Sequence, residues 1–591
     1  MHIKGFALLA LSVAFVLACK APEENKKQWW ETAQFYQIYP RSFKDSNGDG
    51  IGDLNGITSK LEYLKEIGVT ATWLSPIFTS PMADFGYDIS NFVDIQPEYG
   101  TLTDFDAMIK KANEVGIKII LDFVPNHSSD EHEWFIRSEN REKGYEDLYF
   151  WDDGKDDPKD PTKRLPPSNW ISVFRGSAWK WSEKRKQFYY HAFLDKQPDL
   201  NYRSPTLVQL MKNVLKFWLE RGVAGFRIDA VPNLFEISKQ SGGYPDEPVN
   251  PNEPDDQNYD HLRHIYVIDQ PETIDMVYQW RKVLIDHQNA YGGDERILMI
   301  ETYSEPAYSN QFYGNKTTEG AQIPFNFNLI SRVNKNTNAE GFVEAIDAWM
   351  KAMPSGKTAN WVIGNHDNKR VPTRYGIKRT DFMNMLIMIL PGVSVTYQGE
   401  EIGMLDVELS WEDTVDPAAC NSNSDIYEQF SRDPCRTPFQ WDNTKNAGFS
   451  TGATTWLPVG ETYTTYNVAV ESATTGNSHL KIFKTLTDMR ENKALQYGGY
   501  RYFSYNNVFI LKRWIDGGDT ILLIFNANSQ SITVNLKDAD ESIPDNMRIS
   551  VVSLESIKVI GSALGSSVQL AADEAVVATS VERKLFRYGS L

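Results

Sequence analysis

Apolar and polar positions follow two different periods along the first part of the chain. Segments 33–43, 69–78 and 117–127 are short, nearly continuous apolar runs, whereas 56–68 and 104–116 have helical spacing and each end at a glycine. The continuous runs are typical of buried strands, and the helical spacing with a terminal glycine predicts helices. Alternation of the two predicts a parallel sheet with helices outside it.

The same alternation resumes later in the chain. A helical pattern at 207–222 precedes an apolar strand at 223–231, and further strands are predicted at 295–304, 358–370 and 392–401. Together with the first part, these segments give about the eight βα units of a (β/α)8 TIM barrel, an α/β fold.

Two regions do not follow the barrel pattern. Residues 129–204 carry many Trp, Asp, Lys, Pro and Gly with little periodicity, which predicts an insertion domain after the third strand. Residues 496–591 alternate with period two between polar turns, which predicts a C-terminal antiparallel β-sandwich. The barrel is therefore expected in two parts, 30–128 and 205–495.

The N-terminus resembles a targeting segment. Lys4 precedes an apolar run from Gly5 to Cys19, which is too short for a comfortable membrane span. The pattern predicts a signal peptide over residues 1–20 and a secreted protein. A short membrane anchor or a lipid-modified Cys19 is the alternative. No later apolar run is long enough to span, so we expect no membrane span in the mature chain.

Composition narrows the class of partner. The 591 residues are 41% hydrophobic and 13% aromatic, which is enough for large cores. The 79 acidic and 60 basic residues give a net charge of −19, which argues against nucleic acid or an anionic membrane as the main partner. The oligomeric state is not readable from composition.

Secretion would make two covalent modifications available. Cys420 and Cys435 lie in one local stretch and predict a disulfide in an oxidising compartment, with two free buried thiols as the alternative. Asn315 begins an Asn-Lys-Thr sequon and is the predicted glycosylation site. Asn126 begins a second sequon, but its apolar neighbours predict that it is buried.

The loop that begins at Asp45 starts like the calcium loop of an EF-hand. Its twelfth position is Gly56, so the closing bidentate Glu is missing. Oxygen ligands at alternate positions can still surround one Ca²⁺, and a polar turn without metal is the alternative. The predicted ligands are the side chains of Asp45, Asn47, Asp49 and Asp53 with the carbonyl of Ile51.

Acidic side chains follow three of the predicted strands. These are Asp229, Glu301 and Asp367. The carboxyl ends of barrel strands share one mouth, and a buried carboxylate is costly unless it is paired or used. The cluster therefore predicts a catalytic site. Because the chain has no phosphate loop and no HExxH zinc motif, we expect no organic cofactor, and paired carboxylates are the groups that glycoside hydrolysis with retention needs.

Six short segments carry a resemblance to a known family. Four of them resemble the signature segments of glycoside hydrolase family 13, the α-amylase family: DFVPNH (122–127), GFRIDAV (225–231), ETYS (301–304) and VIGNHD (362–367). Two more, QPDLN (197–201) and SRDPCRTPFQWD (431–442), resemble its oligo-1,6-glucosidase and α-glucosidase branch. The resemblance runs from about residue 34 to 441 and is strongest to insect maltases of that branch.

The resemblance implies a role for each strand-end acid. Asp229 is the implied nucleophile, Glu301 the acid and base, and Asp367 the third member of the catalytic group. Arg227, two residues before the nucleophile, would hold Asp229 ionised, since a neighbouring cation favours a carboxylate. His366 would join Asp367 on the 2- and 3-hydroxyls of the reacting glucose.

The resemblance also implies how the sugar is enclosed. His127 would bind the 6-hydroxyl, Tyr87 would stack under the ring, and Asp84 with Arg436 would hold the 4-hydroxyl and close the pocket. From the residues alone, a core histidine, ordinary packing and a structural ion pair are the alternatives for His127, Tyr87 and Arg436. The implied flanks of the leaving group are Phe174, Phe193 and Gln197.

The implied protein is a secreted, retaining exo-α-glucosidase that acts on maltose, sucrose and short α-1,4-glucosides, with a structural Ca²⁺. Ala230, after the nucleophile, resembles the α-1,4-preferring members. A non-catalytic binding protein on the same scaffold, similar to amino-acid transporter heavy subunits, is the alternative. It would need a full-length membrane span and would lack part of the catalytic triad. An endo-acting amylase is disfavoured by Asp84 and Arg436.

Overall fold

The computed structural model describes residues 27–580, so the predicted signal peptide over residues 1–20 lies outside the described residues. Its central element is one parallel sheet of eight strands. The strands are β1 Gln34–Ile38, β2 Ala71–Leu74, β3 Lys118–Phe123, β4 Gly225–Ile228, β5 Ile297–Ile300, β6 Ile323–Pro324, β7 Asn360–Val362 and β8 Val393–Tyr397.

The strands follow one another around a barrel. Their spatial order is β6-β5-β4-β3-β2-β1-β8-β7, and β1 pairs with β8 in the register Tyr36↔Thr396. Between β6 and β7 a side chain replaces the backbone hydrogen bonds of a strand pair. The Asn360 amide accepts from Asn326 N at 2.9 Å and donates to Pro324 O at 2.6 Å. The predicted TIM barrel is confirmed.

Long helices cover the outside of the barrel. They are α1 Leu54–Glu66, α2 Leu102–Val115, α3 Pro205–Glu220, α4 Glu272–Tyr291, α5 Ala339–Met350, α6 Thr380–Ile389 and α7 His479–Met489. The first helices begin about two residues before the predicted segments, because the caps lie earlier: Asp53 accepts from Gly56 N and Thr101 from Asp104 N. Gly116 ends α2 in the left-handed region, at φ +80°.

The insertion between β3 and α3 is small and aromatic. It contains the helix Glu133–Glu139 and a three-stranded antiparallel sheet of Trp151–Asp152, Gln187–Tyr190 and Trp179–Ser182. Trp170, Trp179 and Tyr190 pack together in its core. Aromatic packing replaces regular periodicity here, which is why this stretch of sequence shows little helix or strand pattern.

The C-terminal region is antiparallel, as predicted. Its strands are β9 Gly499–Tyr505, β10 Val508–Trp514, β11 Thr520–Asn526, β12 Ile532–Asn535, β13 Met547–Val552, β14 Ser567–Leu570 and β15 Ala575–Ser580. Five form one sheet in the order β9-β10-β11-β15-β13, and β12 pairs with β14. Val508 and Ile510 share a core with the β12–β14 pair, whereas Phe509 and Leu511 face the barrel.

The predicted disulfide is wrong. Cys420 and Cys435 are both free thiols. Buried Cys435 directs Sγ to the carbonyl of His366 at 3.3 Å, whereas Cys420 lies at the end of a short helix with Sγ near Thr414 O at 3.7 Å. The two side chains therefore have different partners, and only one of them is buried.

Two further predictions can be placed on the fold. Asn315 lies in an exposed turn, and Asn126 is buried as expected. Within residues 27–580, no helix is both long enough and apolar enough to cross a membrane.

Candidate active site

A cavity of about 490 Å³ opens at the carboxyl ends of the barrel strands. It collects side chains from β4, β5 and β7 and from the insertion. Of the predicted residues, those that line it are Asp84, Tyr87, His127, Phe174, Phe193, Asp229, Glu301, His366 and Asp367. Segments far apart in the chain thus meet in one cavity.

Strand geometry places the three acids. Asp229 directly follows β4, Glu301 directly follows β5, and Asp367 lies five residues beyond the end of β7. The first two strands are neighbours in the register Ile228↔Ile300, so the two acids that follow them are adjacent. Parallel strands end at the same edge, and this brings the acids together.

One buried guanidinium lies beneath the acids. Arg227 is 1% exposed, and its Nη1 lies 3.0 Å from both carboxylate oxygens of Asp122. Nη1 also donates to Asp229, and Nη2 lies 2.9 Å from Glu301 Oε2. The same group stacks over Trp73 at 4.8 Å. A single cation therefore serves three carboxyl groups, which cannot all ionise without strong repulsion.

This environment gives the two adjacent acids different pKa values. Burial raises the pKa of Asp229 to about 6, although the charge of Arg227 opposes the shift. Burial raises the pKa of Glu301 to about 8, again opposed by Arg227. Between these values Asp229 is charged and Glu301 holds a proton. This difference in pKa suits a charged nucleophile beside a protonated general acid.

The two acids also contact each other. Their side chains are joined by a hydrogen bond, and Glu301 Oε2 accepts from the backbone N of Ala230 at 2.8 Å. Ala230 has φ +48°, in the left-handed region, and this turns its N–H toward the acid.

His366 organises the inner wall. Gln37 Nε2 donates to its Nδ1 at 2.7 Å, and its Nε2 faces Tyr87 OH at 2.5 Å and Asp367 Oδ2 at 3.4 Å. Burial lowers the pKa of His366 well below its usual value, so the ring is neutral. Tyr87 stacks on the ring at 5.3 Å and also lines the cavity.

Arg432, and not Arg436, closes the inner end of the cavity. Arg432 lines the cavity, and its Nη2 lies 2.9 Å from Asp84 Oδ1. Arg436 is fully buried behind Asp367, at 2.9 Å from Nη2 to Oδ1, and donates Nε to His366 O at 2.8 Å. The pocket-closing role predicted for Arg436 is thus corrected, and its alternative, a structural ion pair, is what the structure contains.

Asp367 is held as an anion. Burial alone would raise its pKa, but the contact with His366 and the charges of Arg436 and Arg432 outweigh burial and bring the pKa well below the usual range. Arg432 Nη1 lies 3.4 Å from Oδ1. A permanently charged carboxylate in the cavity wall is a strong acceptor for sugar hydroxyls.

Most of the remaining predicted residues line the cavity, and one of them only holds a residue that does. Phe174 and Phe193 line the cavity with ring centroids 5.8 Å apart, and His127 packs on Phe193 at 5.3 Å. Burial lowers the pKa of His127 to about 3, so it is neutral. Gln197 is fully buried and does not line the cavity; it donates to Asp84 Oδ2 at 3.1 Å and fixes that carboxylate.

Several residues of the site were not predicted. Arg432 belongs to the SRDPCRTPFQWD segment, four residues before Arg436, and sequence spacing alone did not tell which arginine faces inward. Asp416 holds Arg432 through two contacts, 2.6 Å to Nη2 and 2.9 Å to Nε, and carried no signal in the sequence. Asp269, which lies outside the family segments, and Tyr303, which lies inside ETYS, also line the cavity.

The predicted calcium loop is a compact, self-bonded turn. Asp45 is buried and accepts from Asn47 N, Gly48 N and Gly50 N, while Asp53 accepts from Ser46. Across residues 27–580, no group of three or more His, Cys, Asp or Glu side chains meets closely enough to hold a metal ion. The predicted donors are all oxygen atoms, the ligand type that Ca²⁺ prefers, but their three carboxylates do not converge here.

Comparisons with known proteins agree with this geometry. The family model "Alpha amylase, catalytic domain" matches residues 37–498. Maltase A1 of Drosophila melanogaster is 52% identical over 547 residues, covering 91% of this chain and 94% of that protein. The salivary alpha-glucosidase of Aedes aegypti is 50% identical, covering 89% and 90%.

More distant relatives share the same scaffold. The human amino acid transporter heavy chain SLC3A1 is 36% identical, covering 92% of this chain and 77% of that protein. Among solved structures, the alpha-glucosyl transfer enzyme XgtA has a TM-score of 0.81 at 31% identity, covering 94% of this chain and 100% of that chain. Trehalulose synthase MutB from Pseudomonas mesoacidophila MX-45 has a TM-score of 0.79 at 31% identity with the same coverage. The chain belongs to the α-amylase family, glycoside hydrolase family 13, within its α-glucosidase branch.

Proposed function

We propose that this α-glucosidase is a secreted, retaining, exo-acting enzyme that releases terminal α-glucose from maltose, sucrose and short α-1,4-glucosides. One observation carries the proposal. Arg227 joins Asp229 and Glu301, and burial divides their pKa values, at about 6 and about 8. A charged nucleophile beside a protonated acid is the arrangement that retaining hydrolysis requires.

The reaction proceeds in two displacements. Asp229 attacks the anomeric carbon and forms a covalent β-glucosyl ester while Glu301 gives its proton to the leaving oxygen. Glu301, now a carboxylate, takes a proton from water, and the water oxygen attacks the same carbon and frees Asp229. Two inversions leave the released glucose in the α configuration. Arg227 balances the charge that moves between the two acids.

The closed inner end supports exo action. Asp84 and Arg432 form an ion pair at 2.9 Å across it, so a glucan chain has no path past the terminal glucose. Asp367, Asp84 and Arg432 present charged partners to the ring hydroxyls, which favour a polar sugar over an apolar ligand. The enzyme should therefore remove one terminal glucose at a time.

The names of relatives support the substrate class. Relatives of about half identity are called maltases and salivary alpha-glucosidases, and the solved neighbour MutB is named a trehalulose synthase. Ala230, beside the nucleophile, leaves room at the position where small residues accompany α-1,4 preference. One or two methyl groups there are worth only about 1–3 kcal/mol, so isomaltose should be a poorer substrate and not an excluded one.

A non-catalytic role on the same scaffold is the second candidate. The human transporter heavy chain at 36% identity supports it as a possibility for the fold. Against it, Asp229, Glu301 and Asp367 are all present and share one cavity. A protein selected only for binding has no need to divide the pKa values of two adjacent acids.

Secretion and a structural calcium ion complete the proposal. The apolar N-terminal run and the salivary names of relatives support secretion, and exposed Asn315 would then be available for glycosylation. Ca²⁺ would be held by Asp45, Asn47, Asp49 and Asp53 with the carbonyl of Ile51, and it would stiffen the loop before α1. None of these loop residues lines the pocket, so the ion would take no part in the chemistry.

The test is product analysis with purified protein. Maltose, sucrose and isomaltose are supplied separately, and the first glucose anomer is followed by NMR. Wild type should release α-glucose from maltose and sucrose, and Asp229→Asn should release none. The control Asp275→Asn, an exposed acid on α4, should behave as wild type. Release of β-glucose would contradict retention, and no release from any substrate would favour the binding-protein candidate.

A further inference from the structure

Asp269 is an acidic cavity residue to which the proposed reaction assigns no role. Five acids line the cavity: Asp84, Asp229, Asp269, Glu301 and Asp367. The proposed reaction uses the other four, as nucleophile, acid and partners of the terminal glucose. A carboxylate on a cavity wall keeps its charge solvated or uses it for binding, because burial without a partner is costly.

Contacts place Asp269 beyond the two catalytic acids, away from the closed end. Its backbone N donates to Pro232 O at 2.9 Å, and its Oδ1 accepts from Ser304 Oγ at 2.5 Å. Pro232 lies three residues after Asp229, and Ser304 lies three residues after Glu301. The carboxylate is therefore fixed between the two loops that leave the catalytic acids toward the mouth.

The geometry points to Asp269 as the residue that binds the hydroxyls of the leaving sugar. This inference rests on the proposed function, because it assigns the outer half of the same cavity. Its Oδ1 is turned to Ser304, and within the described part of the chain Oδ2 has no hydrogen-bond donor. Oδ2 is thus available to a ligand in the cavity.

The chemistry of a leaving sugar matches this acceptor. A pyranose offers neighbouring hydroxyl donors, and charge-assisted hydrogen bonds to a carboxylate are about twice as strong as neutral ones. Asn233 and Tyr303 also line the cavity and add neutral polar groups. An aromatic leaving group has no hydroxyls to offer, so Asp269 should favour a sugar leaving group over an aryl one.

The experiment compares two substrates that share the same terminal glucose. The kcat/KM values for maltose and for 4-nitrophenyl α-glucoside are measured for wild type, Asp269→Asn and Asp269→Ala. The ratio of maltose to nitrophenyl values should fall about 10- to 100-fold in both variants, the effect of losing a hydrogen bond to a charged group. Asp260→Asn, an exposed acid nearby in the chain, should keep the wild-type ratio.

The possible outcomes distinguish a failure of the Asp269 assignment from a failure of the proposed function. An unchanged ratio in Asp269→Asn and Asp269→Ala overturns the assignment, even if both values fall together as a folding defect would make them. A wild-type protein that hydrolyses neither substrate overturns the proposed function, and the assignment with it. The isosteric Asn variant keeps the Ser304 contact geometry, so it yields a ratio even if the Ala variant does not fold.

Discussion

Arg432 makes an ion pair with Asp84, with Nη2 2.9 Å from Oδ1, across 348 positions of sequence. This pair forms the inner end of the cavity and decides that the pocket is closed. Asp416, which is fully buried, holds the same guanidinium from behind through Nε and Nη2. The closing arginine is therefore fixed before any substrate arrives.

Changing Arg432 should weaken substrate binding more than the chemical step. Arg432→Lys keeps the charge but loses the planar fork that contacts the carboxylates of Asp84, Asp416 and Asp367 at once. We expect KM for maltose to rise about 10-fold with a smaller change in kcat, since hydrogen bonds to charged groups are worth about 1.5–3 kcal/mol. Steady-state kinetics with Arg263→Lys, an exposed arginine, as control checks this. Asp416→Asn should show the same pattern, and a fall confined to kcat would argue against it.

Activity should have two pH limits set by the acid pair. As pH falls through about 6, Asp229 takes up a proton and the nucleophile is lost. As pH rises through about 8, Glu301 loses the proton that the leaving group needs. A profile of kcat/KM for maltose should be bell-shaped with limbs near these values, which belong to the coupled pair.

The basic limb of that profile has its own control. Glu301→Gln cannot lose a proton, so its residual activity on 4-nitrophenyl α-glucoside, whose leaving group needs little protonation, should show no basic limb. Its kcat for maltose should fall about 10²–10⁴-fold, the usual contribution of a general acid. A basic limb that persists in this variant would assign it to another group.

Calcium should stabilise the fold without entering the reaction. Added at about 100 times its Kd, the ion should contribute about 2.7 kcal/mol to the free energy of unfolding. Melting temperature with calcium and with chelator measures this, and Asp49→Ala should abolish the difference. The kcat of protein kept folded in chelator should match that of the calcium-loaded protein. Equal melting temperatures would favour the alternative of a polar turn without metal.

The two thiols should react at very different rates. Exposed Cys420 should be alkylated in the native protein, whereas Cys435 should react only after unfolding, because burial raises its thiol pKa to about 12 and thiolate is the reactive form. Mass spectrometry of unreduced protein, labelled before and after denaturation, distinguishes them. A pair of cysteines that resists labelling until a reductant is added would restore the disulfide prediction.

The local pattern of apolar and polar positions was enough to predict the barrel and the acids at the ends of its strands. Continuous apolar strands that alternate with glycine-terminated helices occur in only a few architectures, so β1 to β5, β7 and β8 could be placed from periodicity. The two-residue strand β6 is too short to produce a pattern and was not predicted. An acid directly after an apolar strand, as at Asp229 and Glu301, faces the mouth because parallel strands end together. These are short-range relationships, and short-range relationships are visible in sequence.

Long-range pairing was decided by tertiary structure alone. Arg432 and Arg436 share one motif and one charge. Only the packing of the short helix Asp433–Arg436 on the barrel turns Arg432, which is its N-cap residue, into the cavity and Arg436 behind Asp367. Cys420 and Cys435 are near in sequence, yet that helix directs Cys435 to His366 and away from Cys420. Which side chains meet across hundreds of residues depends on how elements pack in three dimensions, and no local pattern records it.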